Sequence, residues 1–274
     1  MVEIALEHKP LLDEVAATAM PAGRGAFWWL GQHSFIVKAG WHVFYFDPWF
    51  DADESRQTRP LLSPDDPHAP DLVLISHGHR DHLSSTSLAG IAKASPRTLF
   101  VCPKTEIQRL REEANIPPER IRAMNAGERL RLSGIRVSAI KSRHEFFDED
   151  LELGFPYLGY VVEAGGVAFY HSGDTIPYEG QLTTLKRWKL DAAFLPINGR
   201  DAERFETGCM GNLTFQEAAE LAGDLAVRIA VPSHYDMFVG NQEDPKKFVR
   251  FLEAKYPGAQ SWVGKAGERV WFPR

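Results

Sequence analysis

The chain has 274 residues, 44% hydrophobic and 25% charged, which suffices for one large domain or two small ones with a sizeable core. A formal net charge of −6 argues against broad electrostatic binding of nucleic acid, which needs clustered Lys and Arg. No apolar run is long enough to span a membrane. Two cysteines, Cys102 and Cys209, match neither a disulfide framework nor a zinc motif and read as small apolar residues. The N-terminus carries acidic residues and lacks the apolar stretch of a secretory signal, so a cytoplasmic location is expected.

In chain order, the first predicted element is a helix over 11–20, ended by Pro21 and Gly23. Strands are predicted over 27–30, 35–38 and 43–46, with Ala39-Gly40 as the turn between the last two. A polar loop with several prolines fills 51–70. Leu72-Val73-Leu74-Ile75 then reads as a buried strand. It runs directly into Ser76-His77-Gly78-His79-Arg80-Asp81-His82, which places three of the ten histidines and a carboxylate within residues 77–82. Imidazole nitrogen and carboxylate oxygen suit Zn²⁺ and similar ions. His77 and His79 alternate with small or polar residues and can grip one ion; Asp81 and His82 follow closely enough to reach a second. Helices are predicted over 84–92 and 104–115, with a strand over 98–101 between them and Pro117-Pro118 as the stop.

The second half repeats this grammar. Strands are predicted over 135–140, 157–163, 167–170, 192–197 and 228–231, and Gly165-Gly166 marks a hairpin. Thr214-x-x-Glu217 reads as a capping box before a helix over 215–226. Asp244-Pro245 reads as an N-cap with proline at the first position of a helix reaching about residue 256. The expected architecture is α+β, a four-layer αββα sandwich forming a single domain of two similar halves, about 1–134 and 135–274. In such a sandwich the loops at strand ends share one edge. Three more ligand types follow strands there: His144, Asp174 in His171-Ser172-Gly173-Asp174-Thr175, and His234 in Pro232-Ser233-His234-Tyr235.

The order His-x-His-x-Asp-His, a lone His, Gly-Asp and a lone His resembles the metallo-β-lactamase superfamily over nearly the whole chain. Trp28-Trp29-Leu30-Gly31, Phe46-Asp47-Pro48-Trp49, Cys102-Pro103-Lys104-Thr105 and Tyr170-His171-Ser172-Gly173-Asp174 are similar to a narrower branch, as is Pro232-Ser233-His234-Tyr235-Asp236. That branch holds the L-ascorbate-6-phosphate lactonases of the UlaG type. Together with the ligand chemistry, the resemblance implies that His77, His79 and His144 hold one divalent ion and Asp81, His82 and His234 another. Asp174 and a hydroxide would bridge the two ions. Zn²⁺ or Mn²⁺ is expected, with Fe²⁺ also compatible, and Asp81, Asp174 and His234 are the expected catalytic residues. The implied activity is metal-dependent hydrolysis of a small anionic metabolite, such as a sugar-phosphate lactone. Arg200 is the expected phosphate contact, and Tyr235 and Asn241 are further substrate candidates. Alternatives are a phosphodiesterase, either nuclease-like or like the N-acyl-phosphatidylethanolamine phospholipases, and a non-catalytic metal-dependent sensor. The phospholipase alternative needs an apolar entry, for which Trp49, Phe146, Phe147 and Phe155 are available. A flavodiiron-type site would carry a carboxylate where this chain has His79. Asp47 is either an acceptor for a metal-bound histidine or a turn residue before Pro48. His33 either lines the cleft or is structural, and Lys104 either meets phosphate or is simply exposed. A small-molecule substrate is expected, without nucleic acid or membrane; homo-oligomerisation is compatible with the sequence.

Overall fold

The computed structural model describes residues 9–144 and 148–273. The first half contains α1 (Lys9–Ala17), β1 (Gly25–Trp29), β2 (Phe35–Ala39), β3 (His42–Phe46), β4 (Leu72–Leu74), α2 (Ser85–Ala94), β5 (Leu99–Pro103), α3 (Ile107–Glu112) and β6 (Ile121–Met124). Then come β7 (Arg129–Leu132), β8 (Ile135–Lys141), β9 (Leu158–Ala164), β10 (Val167–His171), α4 (Gln181–Leu185), β11 (Ala192–Pro196), α5 (Ala202–Glu206), α6 (Phe215–Asp224), β12 (Ala230–Ser233), α7 (Pro245–Lys255) and β13 (Arg269–Phe272).

Side-chain alternation along the strands explains the layering. Phe27, Trp29, Phe35 and Val37 enter the cluster between the sheets, whereas Ala26, Trp28 and Ile36 enter a second cluster beneath α1, α2 and α3. Strands buried on both faces read as continuous apolar runs for this reason. The sheets meet through aromatic contacts, with Phe35 and Phe194 at 4.3 Å and Phe27 and Phe194 at 5.2 Å. Each buried Phe of this kind contributes roughly 1.5–3 kcal/mol of transfer free energy. On the far side, Ala218 and Leu221 of α6 and Phe248 and Leu252 of α7 join the main cluster and cover the second sheet. The result is the expected four-layer αββα sandwich.

The sheet orders are β13-β1-β2-β3-β4-β5-β6 and β12-β11-β10-β9-β8-β7. Strands β3 to β6 are mutually parallel, as are β10 to β12. This corrects the expected division at 134/135. Strand β7 already belongs to the second sheet, and β13 returns to pair antiparallel with β1 in the first. A strand pairing across the length of the chain leaves no local signature. Smaller shifts follow local chemistry. The hairpin between β2 and β3 turns at Gly40-Trp41, because Gly40 takes the positive φ of 61°. The helix expected over 104–115 begins as a 3₁₀ turn, Lys104–Glu106, before α3. Both capping expectations hold: Thr214 and Glu217 form the reciprocal box, and the Asp244 side chain accepts from the Lys246 amide.

Candidate metal centre

Four loops deliver side chains to the edge where the two sheets meet. The turn after β4 carries His77, His79, Asp81 and His82; His144 follows β8, Asp174 follows β10 and His234 follows β12. Ligand-type atoms of His77, His79, His144 and Asp174 lie within 4.8 Å of one another, and so do those of Asp81, His82 and His234. Asp174 joins the two groups. Its Oδ1 lies 3.4 Å from His82 Nε2, and its Oδ2 lies 3.2 Å from His234 Nε2 and 3.7 Å from His144 Nε2. All seven expected ligands are therefore brought together.

The hydrogen bonds around the site fix which nitrogen of two rings carries its proton. Asp47 accepts from the Ser76 amide at 2.7 Å, the Ser76 hydroxyl at 2.6 Å and His82 Nδ1 at 2.8 Å. His82 is thus protonated at Nδ1, and its Nε2 faces Asp81 and Asp174, whose carboxylates raise its pKa although burial opposes them. Because the Ser76 hydroxyl gives its hydrogen to Asp47, it can only accept from His77 Nδ1, at 2.9 Å. The His77 Nε2 lone pair then faces His79 Nδ1 at 3.0 Å. Burial presses His77, His79 and His144 towards the neutral, ligating form, whereas at His82 and His234 the Asp174 and Asp81 carboxylates outweigh burial and raise the pKa. Burial lowers the pKa of His77, with the nearby His82 adding to the effect. It pushes His144 down to about 4 against the opposing pull of Asp174. Asp174 stays ionised although burial opposes it, because His234 and His82 stand against it.

A metal ion fits this arrangement. The buried His82 Nε2 and Asp174 Oδ1 have no hydrogen-bond partner, a costly state for polar atoms unless a cation satisfies them. Tetrahedral ligands at about 2.1 Å from zinc stand roughly 3.4 Å apart, close to the 3.2–3.7 Å measured between the atoms converging on Asp174.

Sequence reasoning missed several supports. Gln32, buried with φ 52°, donates its side-chain amide to Asp81 Oδ2 at 2.7 Å, and the same nitrogen lies 3.0 Å from His234 Nε2. Its backbone is held as well: its amide donates to Asp236 at 3.0 Å, and its carbonyl accepts from the His234 amide at 2.9 Å. The only signal was its place in Gly31-Gln32-His33 after an apolar strand. Ser76 stood beside His77 with no signal of its own. Asp47 is the acceptor rather than a simple turn residue. His33 is structural: fully buried, it packs 4.0 Å from the His171 ring and contacts Ser233 Oγ at 2.7 Å.

The ligands open onto a cleft of about 560 Å³, whose other wall comes from the segments around Cys209 and Phe238. Asn241 lines it, as expected, and accepts from the Asn198 side chain at 2.8 Å. Two substrate expectations are corrected. Arg200 does not offer a free guanidinium, because both terminal nitrogens donate to Glu217 at 2.6 Å. Tyr235 is buried against Trp29, 5.4 Å between rings, and is not part of the cleft wall. Lys104 pairs with Glu128 at 2.6 Å. Cys102 is buried as expected, while Cys209 is only half-buried and faces the cleft. Phe146 and Phe147 lie outside the described residues. No helix among the described residues is long and apolar enough to cross a membrane.

Comparison with known proteins agrees with this geometry. The β-lactamase superfamily domain matches residues 42–235. A UPF0173 metal-dependent hydrolase of Methanosarcina mazei is 29% identical over 233 residues, 83% of this chain and 90% of that protein. A UPF0173 protein of Pyrococcus furiosus is 30% identical over 227 residues, again 83% and 90%. Among solved structures, Igni18, a metallo hydrolase from Ignicoccus hospitalis, superposes with a TM-score of 0.70 at 22% identity, covering 92% of this chain and 99% of that one.

Proposed function

This chain belongs to the β-lactamase superfamily, as a metal-dependent hydrolase of the metallo-β-lactamase fold, and from that membership we propose that it hydrolyses the acyl–oxygen bond of a small lactone or ester using two divalent ions. The observation that carries the reading is the convergence of two ligand groups on the one carboxylate of Asp174. His77, His79 and His144 would hold one ion and Asp81, His82 and His234 the other, with Asp174 between them. Zn²⁺ or Mn²⁺ suits this nitrogen and oxygen set. Such a pair supplies Lewis acidity and activates water at neutral pH.

The chain's own residues do the rest. Asp47 and Ser76 hold His82 and His77 in the tautomers that present Nε2. Gln32 fixes the carboxylate of Asp81. The cleft volume is on the scale of a small-molecule site, within roughly 300–1,000 Å³. Water adds to the acyl carbon, the acyl–oxygen bond breaks, and a lactone yields one hydroxy carboxylate and a proton. With Arg200 committed to Glu217, recognition of a phosphate at that position has no support.

The test is a screen of purified protein, with Zn²⁺ or Mn²⁺ restored, against γ-butyrolactone, p-nitrophenyl acetate and bis(p-nitrophenyl) phosphate. Turnover of the lactone or the carboxylic ester is expected. Turnover of the phosphodiester alone would replace this reading with the phosphodiesterase one.

A further inference from the structure

We infer that the substrate carries an apolar chain, and that this chain seats in a side pocket next to Asp174. The inference rests on the acyl-hydrolysis reading and adds the chemistry of the group being recognised. A cavity of about 320 Å³ is walled by Ile176, Ala202, Phe205, Cys209 and Gly211. Cys209 also lines the metal cleft, so the two spaces adjoin. Ile176 ties the side pocket to the ligands. It stands two residues after Asp174, and its amide donates at 2.7 Å to the carbonyl of Arg143, the residue before His144.

Two charged residues also border the pocket, and each is already committed. Arg200 gives its fork to Glu217, while Asp201 accepts from the Arg204 amide at 2.9 Å and pairs with its guanidinium. A phosphate entering here would compete with Glu217 for Arg200 and meet Asp201 as a like charge. An alkyl chain would disturb neither pair. The apolar surface also continues outward. Phe205 is 68% exposed at the pocket and Val239 is 76% exposed at the cleft, where Met210 and Phe238 line the same wall. Single exposed apolar residues need no explanation, but here they flank two spaces that share Cys209, one of them lined by metal ligands.

The test has a binding arm and a kinetic arm. In the first, N-phenyl-1-naphthylamine, a neutral fluorescent probe, is titrated into the protein and displaced with 1-octanol. Wild-type protein should bind it, and Ala202→Trp, which fills the pocket, and Phe205→Ser should each weaken binding about tenfold or more. In the second, kcat/KM is compared for γ-decalactone and γ-butyrolactone. Burying a methylene favours binding by about fourfold, so the wild-type ratio should exceed tenfold, and Ala202→Trp should reduce it at least tenfold. Absence of probe binding to the wild type, or a ratio unchanged in both variants, would overturn the side pocket. Probe binding that responds to both variants, without turnover of any lactone or ester, would support the pocket and overturn acyl hydrolysis alone.

Discussion

At the scale of single residues, three side chains around the metal ligands sit in strained backbone. Gln32, Asp47 and His234 have φ of 52°, 43° and 59°, a region that non-glycine residues rarely enter. Such strain costs about 1–3 kcal/mol per residue and persists only where the surroundings enforce it. Here the enforcement is visible: Asp47 takes three hydrogen bonds, and the Gln32 carbonyl holds the His234 amide. Replacing Asp47 with Ala removes the acceptor that orients His82. Metal affinity should fall by about 10–100-fold, read by competition with a chromophoric chelator. Gln32→Ala should weaken the ion held by Asp81 and His234 and spare the one held by His77, His79 and His144. A titration with two resolved steps will show whether a single step moves; equal loss of both would refute that role for Gln32.

At the scale of elements, the legible features were those written in local chemistry. Thr214 and Glu217 announced α6, Asp244-Pro245 announced α7, and Gly165-Gly166 announced the hairpin of β9 and β10. Thr214→Ala should cost about 1 kcal/mol in a denaturant melt. The strands β7 and β13 were not legible. Arg129–Leu132 alternates Arg with Leu on a sheet edge, where charge blocks further pairing, and β13 gains its place only from a partner at the far end of the chain. The metal ligands were legible because chain order alone brought them to strand ends, whereas the contacts of Gln32 and Ser76 depend on packing between distant segments. The Gly-Asp pair has its own physical reason. Gly173 has φ 57°, and a Cβ there would sit 2.6 Å from the Leu158 carbonyl and 2.7 Å from Ser76 Cβ. Gly173→Ala should therefore shift both Ser76 and Asp174, lowering stability and metal content together. Normal metal content in a well-folded Gly173→Ala protein would contradict this coupling.

At the scale of the whole molecule, the candidate centre joins the two sheets. His77, His79, Asp81 and His82 come from the first sheet, and His144, Asp174 and His234 from the second. Bound ions would stabilise the fold by tying these sheets at their common edge. Ligand at a hundred times its dissociation constant adds about 2.7 kcal/mol, or roughly 5–10 °C in Tm for a chain of this size. Chelation should lower Tm by that amount, and re-addition of Zn²⁺ or Mn²⁺ should restore it. The dinuclear reading turns most directly on the number of ions per chain. Elemental analysis of wild type, Asp174→Ala and His144→Ala, each reconstituted with excess metal and desalted, should find two ions in the wild type, loss from both positions in Asp174→Ala, and a smaller loss in His144→Ala. An Asp174→Ala protein that kept two ions and wild-type turnover would contradict it.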